Sequence, residues 1–295
     1  MRFITSRKLN PFVAEDDRYL LLANRGINYV QEEAVNALSA IKADGDAKKN
    51  FHMFGDIVSF DATYRRNKYN MMFVPFTGID NHYRNVTLGA AIIGNETAET
   101  YSWLVNVFRQ AFGRALPVIV TDQDPTMRKA IEDTWPESSN RLCMWHIMDK
   151  LTTKLFISEY EVGATLCNST DFKKRLCAIV WTDVLLSDQF ETEWGVILVD
   201  FYLVNHEWLE SIYHIRYSWI PAYYRHEHMS GLMRTSSRSE SENHFFGQFC
   251  NPDCTLVEFL GHFDSTIEAQ RHEHRKNNHD TRHTNPDSFA REFVL

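Results

Sequence analysis

The sequence predicts a mixed α/β fold, a five-stranded sheet flanked by helices with an all-helical insertion before its last core helices. Three observations lead there. Three apolar runs separated by short polar turns lie between residues 56 and 94, and such turns favour antiparallel neighbours. Helix-period and strand-like segments then alternate to residue 147, which requires crossovers and parallel pairing. From residue 151 the pattern changes to amphipathic helices rich in Trp and Tyr. The division that follows is an N-terminal extension, partly helical, at 1–50, and the first part of the core at 51–150. A helical insertion at 151–235, C-terminal core helices at 236–275 and a frayed tail at 276–295 complete it.

Taken in order, "NYVQEEAVNALSAIKAD" places Val30, Ala34, Leu38 and Ile41 three or four apart and predicts one amphipathic helix. "DIVSFDATY", "MMFVPFTGI" and "VTLGAAIIG" predict a meander. "NETAETYSWLVNVFRQAFG" predicts a helix capped by Asn95 or Thr97 and ended by Gly113. "LPVIVTD" is short and β-branched, as a fully buried strand should be, and "DPTMRKAIEDTWP" carries Pro125 where a first helical turn tolerates it. "RLCMWHI" predicts a fifth strand or a strand-to-helix junction. After the insertion, "SESENHFFGQFC" and "TLVEFLGHFDSTIEAQRHEHRK" predict helices again.

Composition narrows the function classes. The chain is 44% hydrophobic and 13% aromatic, which fits a globular protein. A net charge of −8 argues against nucleic-acid binding by bulk charge but leaves room for a local basic groove. No run of apolar residues reaches membrane-spanning length, and "MRFITSRKLN" has no apolar signal core. Neither a membrane nor secretion is therefore expected. Five irregularly spaced cysteines suit free thiols in a reducing compartment. No cluster of basic residues spells out a nuclear address.

An acid inside a greasy strand needs a partner or a cation, and "SFD" presents Asp61 there. A right-handed crossover would bring the strand ending in "VTD", with Asp122, parallel and next to the first. Ligands of open α/β sheets bind beyond the carboxyl ends of the strands. Two carboxylates about 4 Å apart repel by roughly 4 kcal/mol at an effective dielectric near 20, so one takes a proton or a cation sits between them. Hard oxygen ligands suit Mg²⁺ or Mn²⁺, and two such ions can drive phosphodiester cleavage or strand transfer. A third acid would come from "RSESENHFF", where Glu240 and Glu242 lie about 200° apart on a helix, so only one can face the site.

These segments, together with "VIVTDQDPTMRKAIEDTWP", "RLCMWHI", "WIPAYYR" and "SSRSESENHFF", carry a resemblance. Over roughly residues 54 to 275 the chain resembles the MULE-type transposase domain of the plant FAR-RED IMPAIRED RESPONSE family, which is similar to Mutator-like transposases. The resemblance implies a ribonuclease-H-like fold and an acid triad. Its first Asp falls on Asp61, its second on Asp122 with Asp124 as neighbour, and its Glu on Glu240, with Asn243 matching the family's Asn. Glu242 stands where the family usually has an apolar residue.

The resemblance also implies a transposase-derived nuclear protein that regulates transcription in light-linked development. Its expected partners are DNA and other family members, as homo- or heterodimers. An active DDE-type transposase or nuclease using Mg²⁺ or Mn²⁺ is the alternative, and an inert fragment with a dimerisation surface the third. The family's N-terminal zinc-binding domain and C-terminal SWIM-type finger leave no motif in this sequence, so a truncated member that binds DNA weakly by itself is expected.

Other constellations are weighed beside these. Cys143 and His146 have the spacing of half a zinc site; a buried thiol beside a hydrogen-bonded His explains them as well. Arg65, Arg66 and Lys68, in the turn after Asp61, could contact phosphates or simply cap a solvated hairpin. Cys250, Cys254, His262, His272 and His274 read as helical faces rather than a metal centre, and Lys173, Lys174 and Arg175 as an exposed face. The aromatics of "EWLESIYHIRYSWIPAYYR" read mainly as core.

Overall fold

The computed structural model describes residues 4–5, 22–23, 40–60, 71–155, 162–182, 184–227, 246 and 255–283. Strands β1 (Ile4–Thr5) and β2 (Leu22–Ala23) form a small parallel pair. The main sheet has six strands: β3 (Ala40–Lys42), β4 (Ile57–Phe60), β5 (Met72–Ile79), β6 (Asn85–Ile93), β7 (Val118–Thr121) and β8 (Ser139–Leu142). Their spatial order is β3-β6-β5-β4-β7-β8. Strands β4, β5 and β6 pair antiparallel, as the short turns predict, and β7 and β8 add parallel to β4. This is the mixed, helix-flanked sheet expected, and it is compatible with a ribonuclease-H-like fold.

Two local readings need correction. Ile41 was expected on a helix; instead it pairs opposite Ala91 at the sheet edge. Three residues are too few to show a period, and the ladder offered by β6 decides. Helix α1 (Gly45–Phe54) was not anticipated, although Asp44 accepts from the Ala47 N–H and Ala47, Phe51 and Phe54 share a buried face. The rest of the helix predicted over residues 28–39 lies outside the described residues.

Helix α2 (Ala98–Phe112) has Thr97 as its cap and ends at Gly113, whose φ of 79° favours glycine. Helix α3 (Pro125–Thr134) begins with Pro125 after the Asp124 cap. With α1 they cover one face of the sheet, where Phe108 meets the rings of Phe51, Phe76, Phe112 and Trp135. "RLCMWHI" divides: β8 stops at Leu142 and α4 (Met144–Asp149) starts after Cys143.

Helices α5 (Leu151–Lys154), α6 (Val162–Ser169), α7 (Phe172–Val180), α8 (Ser187–Asp200), α9 (Glu207–His214) and α10 (Pro221–Tyr224) build a second core. It holds Phe172, Phe190, Trp194, Leu209, Ile212 and Trp219, and Leu142 and Met144 join it to the sheet. Of the aromatics in "EWLESIYHIRYSWIPAYYR", Trp219 and Tyr224 are buried and Trp208 packs half-buried on this core. Tyr213, Tyr217 and Tyr223 instead gather around the Arg216 guanidinium, which also bonds Glu191. Lys173 and Lys174 are exposed, and Arg175 pairs with Asp200 at 2.7 Å.

The long helix α11 (Leu256–His283) closes the other face of the sheet, with Phe259, Phe263 and Ile267 over Met71, Phe73, Ala90 and Ile92. It continues helical beyond residue 275, through His283.

Candidate functional site

Strand parity sets the site. Two antiparallel steps from β4 through β5 make β6 parallel to β4, as β7 and β8 also are. The C-terminal ends of all four strands therefore share one edge. Helices α2 and α3 begin there, so their amide-rich ends face it. Ser59 pairs with Val120, so β4 and β7 reach that edge side by side.

Asp122 follows β7 directly and is half-buried. Its Oδ1 accepts the Asp124 N–H at 2.9 Å, and Asp124 Oδ1 accepts the Met127 N–H at 2.7 Å. The "TDQDP" segment is thus a turn wound onto a helix cap, which fixes the Asp122 carboxylate at the sheet edge. Among the described residues nothing donates to its Oδ2. Behind it, buried Thr121 donates to Asn140 Oδ1 at 3.2 Å, and Lys150 donates to Gln123 Oε1 at 3.1 Å.

Sequence reasoning missed two members of this neighbourhood, Tyr101 and Glu96. The buried Tyr101 hydroxyl donates to Glu96 Oε1 at 3.2 Å. Burial first, then the charges of Glu96, Asp124 and Asp122, hold this phenol far above its ordinary ionisation range. The signal was available: β6 ends on the same edge as β4 and β7, so the turn before α2 had to lie there too. Burial pushes the His146 imidazole below its ordinary value of 6.5; Asp122 opposes this and Lys150 adds to it.

Cys143 is buried and caps α4, its sulfur accepting the His146 N–H at 3.5 Å. The Cys-x-x-His spacing thereby fits a helix start. Among the described residues no three His, Cys, Asp or Glu side chains assemble to hold a metal. Asp61, Glu240, Glu242, Asn243, Arg65, Arg66 and Lys68 lie outside the described residues, as do Cys250 and Cys254. His274 is engaged elsewhere, on Asp80 at 2.8 Å.

A sheet of this order, with an acid at the end of the strand beside the first, is compatible with a ribonuclease-H-like core, and residues 57–150 match the family model of the MULE transposase domain. The chain is 34% identical to FAR1-RELATED SEQUENCE 5 of Arabidopsis thaliana over 83% of its own length and 30% of that relative's. It is 30% identical to FAR-RED IMPAIRED RESPONSE 1 of the same plant, over 83% of this chain and 28% of that one. FAR1-RELATED SEQUENCE 4 shares 31% identity over 85% of this chain and 34% of its own. Over most of its own length the chain is thus similar to the FAR1-related MULE-domain proteins. It spans roughly a third of the length of these curated relatives.

Proposed function

We propose that this chain is the core of a transposase-derived nuclear protein that acts on DNA to regulate transcription in light-linked development. The observation that carries the reading is its likeness, over 83% of its length, to a relative whose name refers to an impaired far-red response. The geometry allows a DNA-facing edge through a bound cation: Asp122, Asp124 and Glu96 gather where α2 and α3 begin, and a divalent ion there would offset their charge against phosphate. Tagged protein expressed in plant cells should enter nuclei and be recovered with chromatin. Protein that stays in the cytoplasm and off chromatin ends this reading.

A second reading is supported by the parallel pairing of β4 with β7. Asp61 follows Phe60 in sequence and Asp122 follows Thr121, so the register favours a shared oxygen-ligand site. With Glu240, these acids would hold Mg²⁺ or Mn²⁺, which would supply Lewis-acid chemistry for DNA strand cleavage. Asp122 has the right chemistry for such a ligand, since one carboxylate oxygen is fixed by the turn and the other accepts nothing from the described residues. Titration calorimetry with Mn²⁺ tests it: binding that Asp122→Asn weakens supports the site, and heat indistinguishable from dilution ends it.

A further inference from the structure

At the far end of α11 two imidazoles stand one helical turn apart. His279 and His283 are both exposed, at i and i+4, with ring centroids 4.3 Å apart. Asp280 Oδ1 lies 3.5 Å from His279 Nδ1. A carboxylate beside an imidazole raises its basicity and favours its binding to a cation, the role such neighbours have around metal-ligating histidines. Arg275, one turn before His279, leans toward Glu268 at 4.0 Å.

We propose that His279 and His283 form a two-imidazole chelate for a borderline transition-metal cation, Zn²⁺ above all, with water completing the coordination. Imidazole nitrogen is a preferred zinc donor and a poor one for Mg²⁺, so this site is chemically distinct from the acids at the Asp122 edge. It is distant as well. His274, one turn nearer the centre of the helix, packs on Asp80 in the β5–β6 turn, at the opposite edge of the sheet from Asp122. A metal bridging i and i+4 closes the last turn of the helix, where carbonyls lack intrahelical partners. Zinc would therefore stabilise the last turn of α11.

The test uses the whole chain. Calorimetric titration with ZnCl₂ should show an equivalent of Zn²⁺ that the His279→Ala/His283→Ala double variant loses or binds at least tenfold more weakly. Asp122→Asn should retain it. Saturating Zn²⁺ should slow amide exchange in residues 277–283 of the wild type and leave the double variant unchanged. Both residues are exposed, so the variants should keep the wild-type melting curve without metal. Identical zinc affinity and stoichiometry in the double variant overturns the proposal. So does wild-type zinc binding with no added protection in the last turn.

Discussion

The two edges of one sheet each hold an aspartate, and they use it in opposite ways. Asp80, in the β5–β6 turn, has a side chain only 2% exposed. Its Oδ1 accepts the N–H groups of His82 and Arg84 at 2.8 and 2.9 Å, and its Oδ2 meets His274 Nδ1 at 2.8 Å. Asp122, at the other edge, is half-buried and spends one oxygen on a neighbouring backbone amide. A buried carboxylate must have its hydrogen bonds filled from within the fold. A half-buried one can keep a lone pair facing outward. The first arrangement fastens α11 to the sheet, helped by His82 on Asn278 and Gln270 on the Thr87 amide. The second leaves chemistry to spare.

Four measurements break or sharpen this contrast. Asp80→Ala removes the buried acceptor of two turn amides and the partner of His274, and should cost about 3–5 kcal/mol in urea unfolding, the range for breaking a buried pair. A loss below about 1 kcal/mol would mean the turn holds α11 by packing alone.

Arg141 comes next. It is 2% exposed, lies 4.4 Å over the Tyr224 ring and bonds Glu227 at 2.7 Å, while its Nε and Nη1 find no hydrogen-bond partner among the described residues. Glu227→Gln takes away its charged acceptor and should cost about 1–3 kcal/mol. Arg141→Met, which removes the buried cation and leaves a half-exposed Glu227, should cost less. The reverse order would show that the cation itself anchors the insertion to β8.

Asp122→Asn keeps an oxygen for the Asp124 amide, so its stability should stay within about 0.5 kcal/mol of wild type. Mn²⁺ affinity, if the acids do hold metal, should fall at least tenfold. A large stability loss would place Asp122 with Asp80 as a structural acid.

The smallest effect lies in the insertion. Burial, and then the bond to Glu191, raise the Tyr223 phenol to about 12 from its usual 10.0. The folded chain keeps this proton where the unfolded chain has lost it. The contribution is complete below pH 10 and disappears as pH rises toward 12. Tyr223→Phe should flatten the stability-versus-pH curve in that window; an unchanged alkaline slope would assign it to other groups.

Much of this was legible beforehand. Turn chemistry and β-branched runs marked β4 through β7, and the Asp-Pro pair marked the start of α3. The position of Asp122 followed from one crossover rule. Strand β3 was not legible, because three residues carry no periodicity and only a neighbouring ladder makes them a strand. The meander placed the turn holding Glu96 at the Asp122 edge, but not the hydrogen bond that Tyr101 makes to it, which depends on how α2 packs on the sheet.

The amino-acid sequence by itself determined the type and order of most elements and the family that the chain resembles, because caps, turns and hydrophobic periods act over a few residues. Only the tertiary structure decided which polar groups meet. Asp80 and His274 lie 194 positions apart, and nothing local to either specifies the other. Their pairing exists because α11 folds back across the sheet to bury its phenylalanines, and the cost of burying a carboxylate requires that something be waiting there.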